Sequence, residues 1–230
     1  MLLLPLGVAV VAAVGWAAWQ WERRHRQALA TLAAERGWDY SSSDDSWADA
    51  FGGAPFGTGS RRQADNVLQG RVDGREMVAF DYRYETYSTD GNGSRHTRVH
   101  RYAVCAVLLP APVPTLELRP ETVLTRLGGA LGLPDVDLES EAFNRRYRVT
   151  SREPRFAYDV LHPRTMELLL TGEPRNLRLS GRDAVTWAAG RQTPAQVLAQ
   201  LDVLTTLVGG VPSYVWTDRG ATPRAPEAAP

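Results

Sequence analysis

The first nineteen residues, MLLLPLGVAVVAAVGWAAW, contain no charged side chain. About 20 residues at ~1.5 Å rise cover the ~30 Å hydrocarbon core of a bilayer, so the segment is just long enough to cross one. Trp16, Trp19 and Trp21 gather at its far end, and Arg23, Arg24 and Arg26 follow at once. Indoles favour the membrane–water interface, and basic residues mark the cytoplasmic side. The pattern predicts a transmembrane helix over residues 1–21, with those six residues as its membrane-interface set. The protein is then expected in the cell membrane as a single-pass protein with a cytoplasmic soluble part.

A cleaved signal peptide is the main competing reading. It lacks a positive n-region, but a small-x-small site at Ala13-Val14-Gly15 keeps cleavage open. A buried core helix fits less well, because the segment offers no solvent face. A lipid anchor through cysteine is excluded by the position of Cys105, the single cysteine, far inside the chain.

Composition removes several function classes. The 230 residues carry 26 basic and 26 acidic side chains, and every basic one is arginine. Zero net charge argues against a generic nucleic-acid coat, so no nucleic acid is expected among the partners. A chain without lysine has no Walker-A, Schiff-base or kinase-strand lysine. One cysteine allows neither an internal disulfide nor a cysteine-based zinc cluster.

From Glu22 the pattern turns amphipathic, with Ala28, Leu29, Leu32 and Ala33 on one face and Gly37 as C-cap. Residues 22–36 are therefore expected to be a juxtamembrane helix leading into a soluble domain over 37–216. Ser41–Asp45 and Phe51–Ser60 read as loops. Asp73-Gly74 joins a strand over 67–72 to one over 77–87. A turn centred on Asp90-Gly91-Asn92-Gly93 would set Glu85 opposite Arg98, Tyr84 opposite Val99 and Phe80 opposite Ala103. Prolines 110, 112 and 114 are expected to stop the strand over 97–109.

The second half alternates. It reads as an amphipathic helix over 120–131, a short strand from about Phe143 to Thr150, and short helices over 156–161 and 166–170. Strands over 177–179 and 185–188 follow, then a helix opened by Thr193-Pro194-Ala195-Gln196. Residues 217–230, rich in proline and alanine, read as a disordered tail. The expected fold class is α+β: an N-terminal transmembrane helix, then a mostly antiparallel sheet with short packing helices.

Residue patterns suggestive of chemistry dissolve on inspection. His96 and His100 lie four apart on a strand, ~13 Å, too far to share zinc at ~2.0–2.1 Å. Asp90, Asn92 and Ser94 copy the start of a calcium loop, but Arg95 replaces its glycine and Arg101 its final carboxylate. Asp135, Asp137, Glu139 and Glu141 alternate, as an acidic ladder on a strand would, close to Arg145, Arg146 and Arg148. Charge pairing on a solvated edge explains them better than a metal or acid–base pair. Cys105 sits in an apolar strand without a neighbouring base and reads as core. Gly57-Thr58-Gly59-Ser60 matches neither a nucleophile elbow nor a dinucleotide fingerprint. Arg61-Arg62 and the arginines between Arg95 and Arg101 are interleaved with acids, and no cofactor is expected.

Phe143-Asn144-Arg145-Arg146-Tyr147-Arg148-Val149 and Phe156-Ala157-Tyr158-Asp159-Val160-Leu161 carry a resemblance, together with Ala54-Pro55-Phe56-Gly57-Thr58-Gly59 and Val78-Ala79-Phe80-Asp81-Tyr82. With these motifs the chain resembles a family of uncharacterised bacterial membrane proteins with one N-terminal transmembrane helix and one soluble domain. The arginine-only composition fits a high-GC, actinobacterial-type genome. The resemblance implies the architecture and brings no activity or functional residues. The sequence thus points to a membrane-anchored, non-enzymatic module that binds a membrane protein partner or lipid headgroups. The alternative is a cryptic hydrolase pairing a carboxylate with His162 or His100. The oligomeric state is left open.

Overall fold

The computed structural model describes residues 3–121 and 134–221, with side chains from residue 13 onward. The helix expected over 120–131 falls largely outside the described residues. Helix α1 (Leu3–Arg36) leads into a strand β1 (Asp39–Ser43), a 3-10 turn (Asp45–Trp47), and the long strands β2 (Ser60–Val72), β3 (Arg75–Thr89) and β4 (Arg95–Pro120). Then come α2 (Glu141–Arg146), β5 (Tyr147–Ser151), α3 (Pro154–Val160), α4 (Pro163–Thr171), β6 (Asn176–Ala189), α5 (Pro194–Gly210) and α6 (Ser213–Thr217).

The six strands form one antiparallel sheet in the order β1-β2-β3-β4-β5, with β6 also paired to β4. This is the expected α+β fold with short packing helices. β4 is its spine: its first part pairs with β3, its last part with β5, and β6 accompanies both. One sheet face is covered by the helices and buries Leu29, Leu118, Phe143, Phe156 and Leu204. The other face is covered by the loop before β2 and buries Phe51, Phe56, Phe80, Tyr82 and Trp187.

Local signals hold where short-range chemistry decides. Asp73 (φ 49°) and Gly74 (φ 70°) both adopt the left-handed region that a two-residue hairpin turn requires. Thr193 and Gln196 form the reciprocal capping box, with Pro194 in the first helical turn. Gly37, at φ 66°, ends α1, and Trp38 N–H donates back to the Ala33 carbonyl at 2.8 Å.

Several expectations are corrected. Among the described residues no helix is long and apolar enough to cross a membrane. From Ala13, the first described side chain, the apolar stretch of α1 already ends at Trp19, far short of the ~20 residues a span needs. The helix then becomes charged and spends its remaining apolar stripe, Leu29, Leu32 and Ala33, on the core; Ala28 stays exposed. The single-pass, cell-membrane assignment is overturned, and the cytoplasmic orientation loses its premise.

Ser41–Ser43 belong to β1 rather than to a loop. β4 runs on through Pro110, Pro112 and Pro114. A proline is costly in a strand only where its missing N–H would have paired, and these three fall between the end of the β3 register at Met77↔Val107 and the start of the β5 register at Leu116↔Ser151. The β3–β4 register differs by one residue: Glu85 faces Val99, Tyr84 faces His100 and Phe80 faces Val104. The cause is a five-residue loop in which the Asp90 carboxylate accepts from the N–H groups of Asn92 and Ser94.

Residues 141–146 are helical, capped by Ser140, so the acidic ladder does not form. Asp135 instead pairs with Arg148 through two 2.9 Å contacts, and Glu141 with Arg145. The two strands expected around Ser180-Gly181 are one strand, β6, with Gly181 at φ 57°. The ordered chain continues beyond Trp216: Ala221 N–H donates to the Trp216 carbonyl and Ala221 packs on the core, while the rest of the expected tail lies outside the described residues.

Candidate functional site

The stripe of α1 that packs on the sheet has a polar continuation. Leu29, Leu32 and Ala33 face the core, and Glu22 and His25 lie one and two turns earlier on the same stripe. They reach a buried carboxylate, Asp81, which follows Met77 and Ala79 along the helix-covered face of β3.

Asp81 is 7% exposed. One oxygen accepts from the backbone N–H of Gln192 at 2.7 Å, the other from Asn66 Nδ2 at 2.8 Å. His25 Nε2 approaches the second oxygen at 3.4 Å and Arg191 Nε at 3.6 Å. Asn66 is turned inward by a bulge in β2, where its backbone takes φ 52° and the register shifts between Asp65 and Leu68. Its side-chain oxygen accepts from Tyr40 at 2.9 Å, and its carbonyl from Gln192 Nε2 at 2.6 Å. Four segments distant in sequence are therefore joined at one carboxylate.

Arg191 carries the network outward. Its guanidinium donates to both oxygens of Glu22, at 2.6 and 3.0 Å, and lies over the Trp21 ring at 5.2 Å. Trp21 stacks in turn on His25, with ring centroids 5.4 Å apart. The Arg191 hydrogen bonds, with Arg26 adding to them against the cost of burial, hold the Glu22 carboxyl down at about 2, below its ordinary 4.5. The bidentate pair keeps its charge at any physiological pH.

The six expected interface residues divide. Trp21 and Arg26, the latter bonded to Glu22 at 2.7 Å, belong to the rim of this network. Trp16, Trp19, Arg23 and Arg24 do not touch the sheet network and remain exposed, with Trp16 at 64% and Trp19 at 55%. At ~100° per residue Trp16, Trp19 and Arg23 fall within about 60° of one another, centred about 120° from the sheet-facing stripe. Arg23 lies over the Trp19 ring at 5.5 Å. The result is an aromatic, cationic face on a helix whose next turns are fastened to the domain.

The remaining histidines are dispersed. His96 bonds to Asp90 at 3.1 Å on the exposed hairpin turn. His100 bonds to Thr86 at 2.9 Å and stacks on Tyr84. His162 meets the Gly210 carbonyl and Thr165. Neither His100 nor His162 is bonded to a carboxylate among the described residues. Among the described residues no group of three or more metal-ligating side chains converges. Cys105 is fully buried and burial pushes its thiol far up, which leaves it without nucleophilic character.

A second buried cation sits on the opposite sheet face. Arg178, 4% exposed, pairs with its cross-strand neighbour Glu117 at 2.9 Å. It also donates to the carbonyls of Gly52, of Gly53 at 3.1 Å and of Ala54 at 2.8 Å, and lies over Trp187 at 4.9 Å. It fastens the loop that carries Phe51 and Phe56 onto the sheet. At Gly53 (φ 76°) a Cβ would stand 3.0 Å from that guanidinium, so the position requires glycine.

Sequence reasoning placed Asp81 in a strand but gave it no role. The available signal was a charge at a position whose neighbours on that face, Met77 and Ala79, are apolar. Arg178, Arg191 and Gln192 carried no local signal at all.

No family model and no curated protein matches the chain. The chain is similar to the crystal structure of the mycobacterial trehalose monomycolate transport factor A, TtfA, with a TM-score of 0.56 at 15% sequence identity. The match covers 89% of this chain and 99% of that one. At this identity the likeness concerns the fold.

Proposed function

We propose that this protein is a non-enzymatic binding module that works against a lipid surface, meeting anionic headgroups through Trp16, Trp19, Arg23 and Arg24. One observation carries the reading: exposed indoles and guanidiniums share a stretch of helix that the Glu22–Arg191 pair ties to a folded domain. Indoles partition to the headgroup layer while arginines meet phosphates, so this face suits docking along a surface without crossing it. The similar fold of a trehalose monomycolate transport factor supports a setting in lipid transport.

Co-sedimentation of the full chain with phosphatidylglycerol vesicles tests this, with phosphatidylcholine vesicles as the comparison. Binding to the anionic vesicles should weaken with salt, because exposed charges are screened. It should be lost in the Trp16→Ser/Trp19→Ser/Arg23→Glu variant. Equal binding by that variant, or no binding by the native chain, would overturn the reading.

A further inference from the structure

The sheet is interrupted once along its spine. Leu109 to Pro112 of β4 lie beyond the β3 register, which ends at Val107, and before the β5 register, which starts at Leu116. β6 gives them no partner either, since its register jumps from Leu108↔Asp183 to Val113↔Gly181. Two of these four residues are prolines without an N–H, so the gap is a poor template for an added strand. It opens instead into a cleft of about 700 Å³ between the β2–β3 turn, the bend of β6 and α6. That volume lies in the ~300–1,000 Å³ range of small-molecule sites.

The walls of the cleft divide by chemistry. Leu108, Leu109 and Trp216 form an apolar wall continuous with the core, Leu109 being 1% and Trp216 8% exposed. At the mouth stand Arg71, Arg75 and Arg182. Glu76 is the one carboxylate among the lining residues, and Arg71 already pairs with it at 3.6 Å. Three guanidiniums against one carboxylate leave a cationic rim over an apolar floor.

We propose that this cleft binds a single-chain anionic amphiphile, its alkyl chain against Leu108, Leu109 and Trp216 and its head at Arg71 and Arg182. A carboxylate and a phosphate head both satisfy that chemistry. The site lies at the opposite end of β3 from Asp81, six residues or about 20 Å away, and does not depend on the α1 face.

Calorimetric titration of the full chain tests it. The probes are oleate and lysophosphatidylglycerol below their micelle-forming concentrations, with lysophosphatidylcholine and inorganic phosphate as comparisons. One-to-one binding of at least one anionic amphiphile is expected, and which of the two binds more tightly identifies the head as carboxylate or phosphate. In Arg71→Glu/Arg182→Glu, whose substituted side chains are exposed, that affinity should fall by about tenfold or more while lysophosphatidylcholine is unaffected. Matching urea midpoints for the variant and the native chain establish that the variant is folded. The proposal is overturned by absence of saturable binding, by unchanged affinity in the folded variant, or by inorganic phosphate binding as tightly as the amphiphiles. Vesicle binding through α1 is read separately, because the Trp16/Trp19/Arg23 variant leaves this cleft intact.

Discussion

Arg178 and Arg191 lie on or just after the same strand, yet they hold the molecule together in different ways. Arg178 is enclosed: its partners are Glu117 and three carbonyls of one loop, and its side chain is 5% exposed. Arg191 is at a rim: its side chain is 24% exposed, and it spans from buried Asp81 to the more open Glu22. The first fixes a loop that completes a core. The second fixes a helix whose exposed face has work to do elsewhere. An enclosed charge is costly to orphan, whereas a rim charge can be rehydrated when its partner leaves.

Variants that break this contrast should rank accordingly. Arg178→Ala orphans Glu117 and three carbonyls, so a loss of about 3–5 kcal/mol is expected in urea unfolding. Arg178→Lys, which keeps the charge but not the fork, should fall between the native chain and that variant. Next comes Asp81→Ala, which strips acceptors from Asn66 and the Gln192 amide, at about 2–3 kcal/mol. An Asp81→Ala midpoint lower than that of Arg178→Ala would reverse the ranking and make the α1 junction the stronger clamp.

Arg191→Ala should cost only about 1 kcal/mol at neutral pH, because water replaces part of what is lost. That cost should also depend on pH. Glu22 is held at about 2 against an ordinary 4.5, so its contribution is complete above about 4.5 and fades as pH falls through about 2. Urea midpoints of the native chain and Arg191→Ala should therefore converge between pH 4.5 and 2; a constant gap would place the effect elsewhere. Smallest of all, Trp16→Ser/Trp19→Ser should shift stability by no more than about 0.5 kcal/mol, since both rings are exposed. A larger loss would mean that these indoles serve the fold instead of a surface.

What could be read ahead of the structure follows range. The Asp73-Gly74 turn, the Thr193–Gln196 cap and the end of α1 at Gly37 depend on two to six consecutive residues, and each forms as its chemistry requires. The β3–β4 hairpin was legible to within one residue; the slip arose because Asp90 organises a five-residue loop that strand patterning does not register. The prolines of β4 misled because their cost depends on whether a neighbouring strand is present, and that neighbour lies forty residues further on. At the site, Trp16 and Trp19 were legible as exposed aromatics. The clamp beneath them was not.

By itself the sequence determined the alternation of strands and helices, the turns, the caps and the absence of lysine chemistry, because each is written in neighbouring residues. Only the tertiary structure decided that α1 binds down onto a sheet, through contacts such as Arg191 to Glu22 across 169 residues and Gln192 to Asp81 across 111. It also decided that β4 carries an unpaired gap with a cationic rim. A buried charge is tolerable only where the fold supplies its partners, and when those partners come from four separate segments no local pattern can announce them.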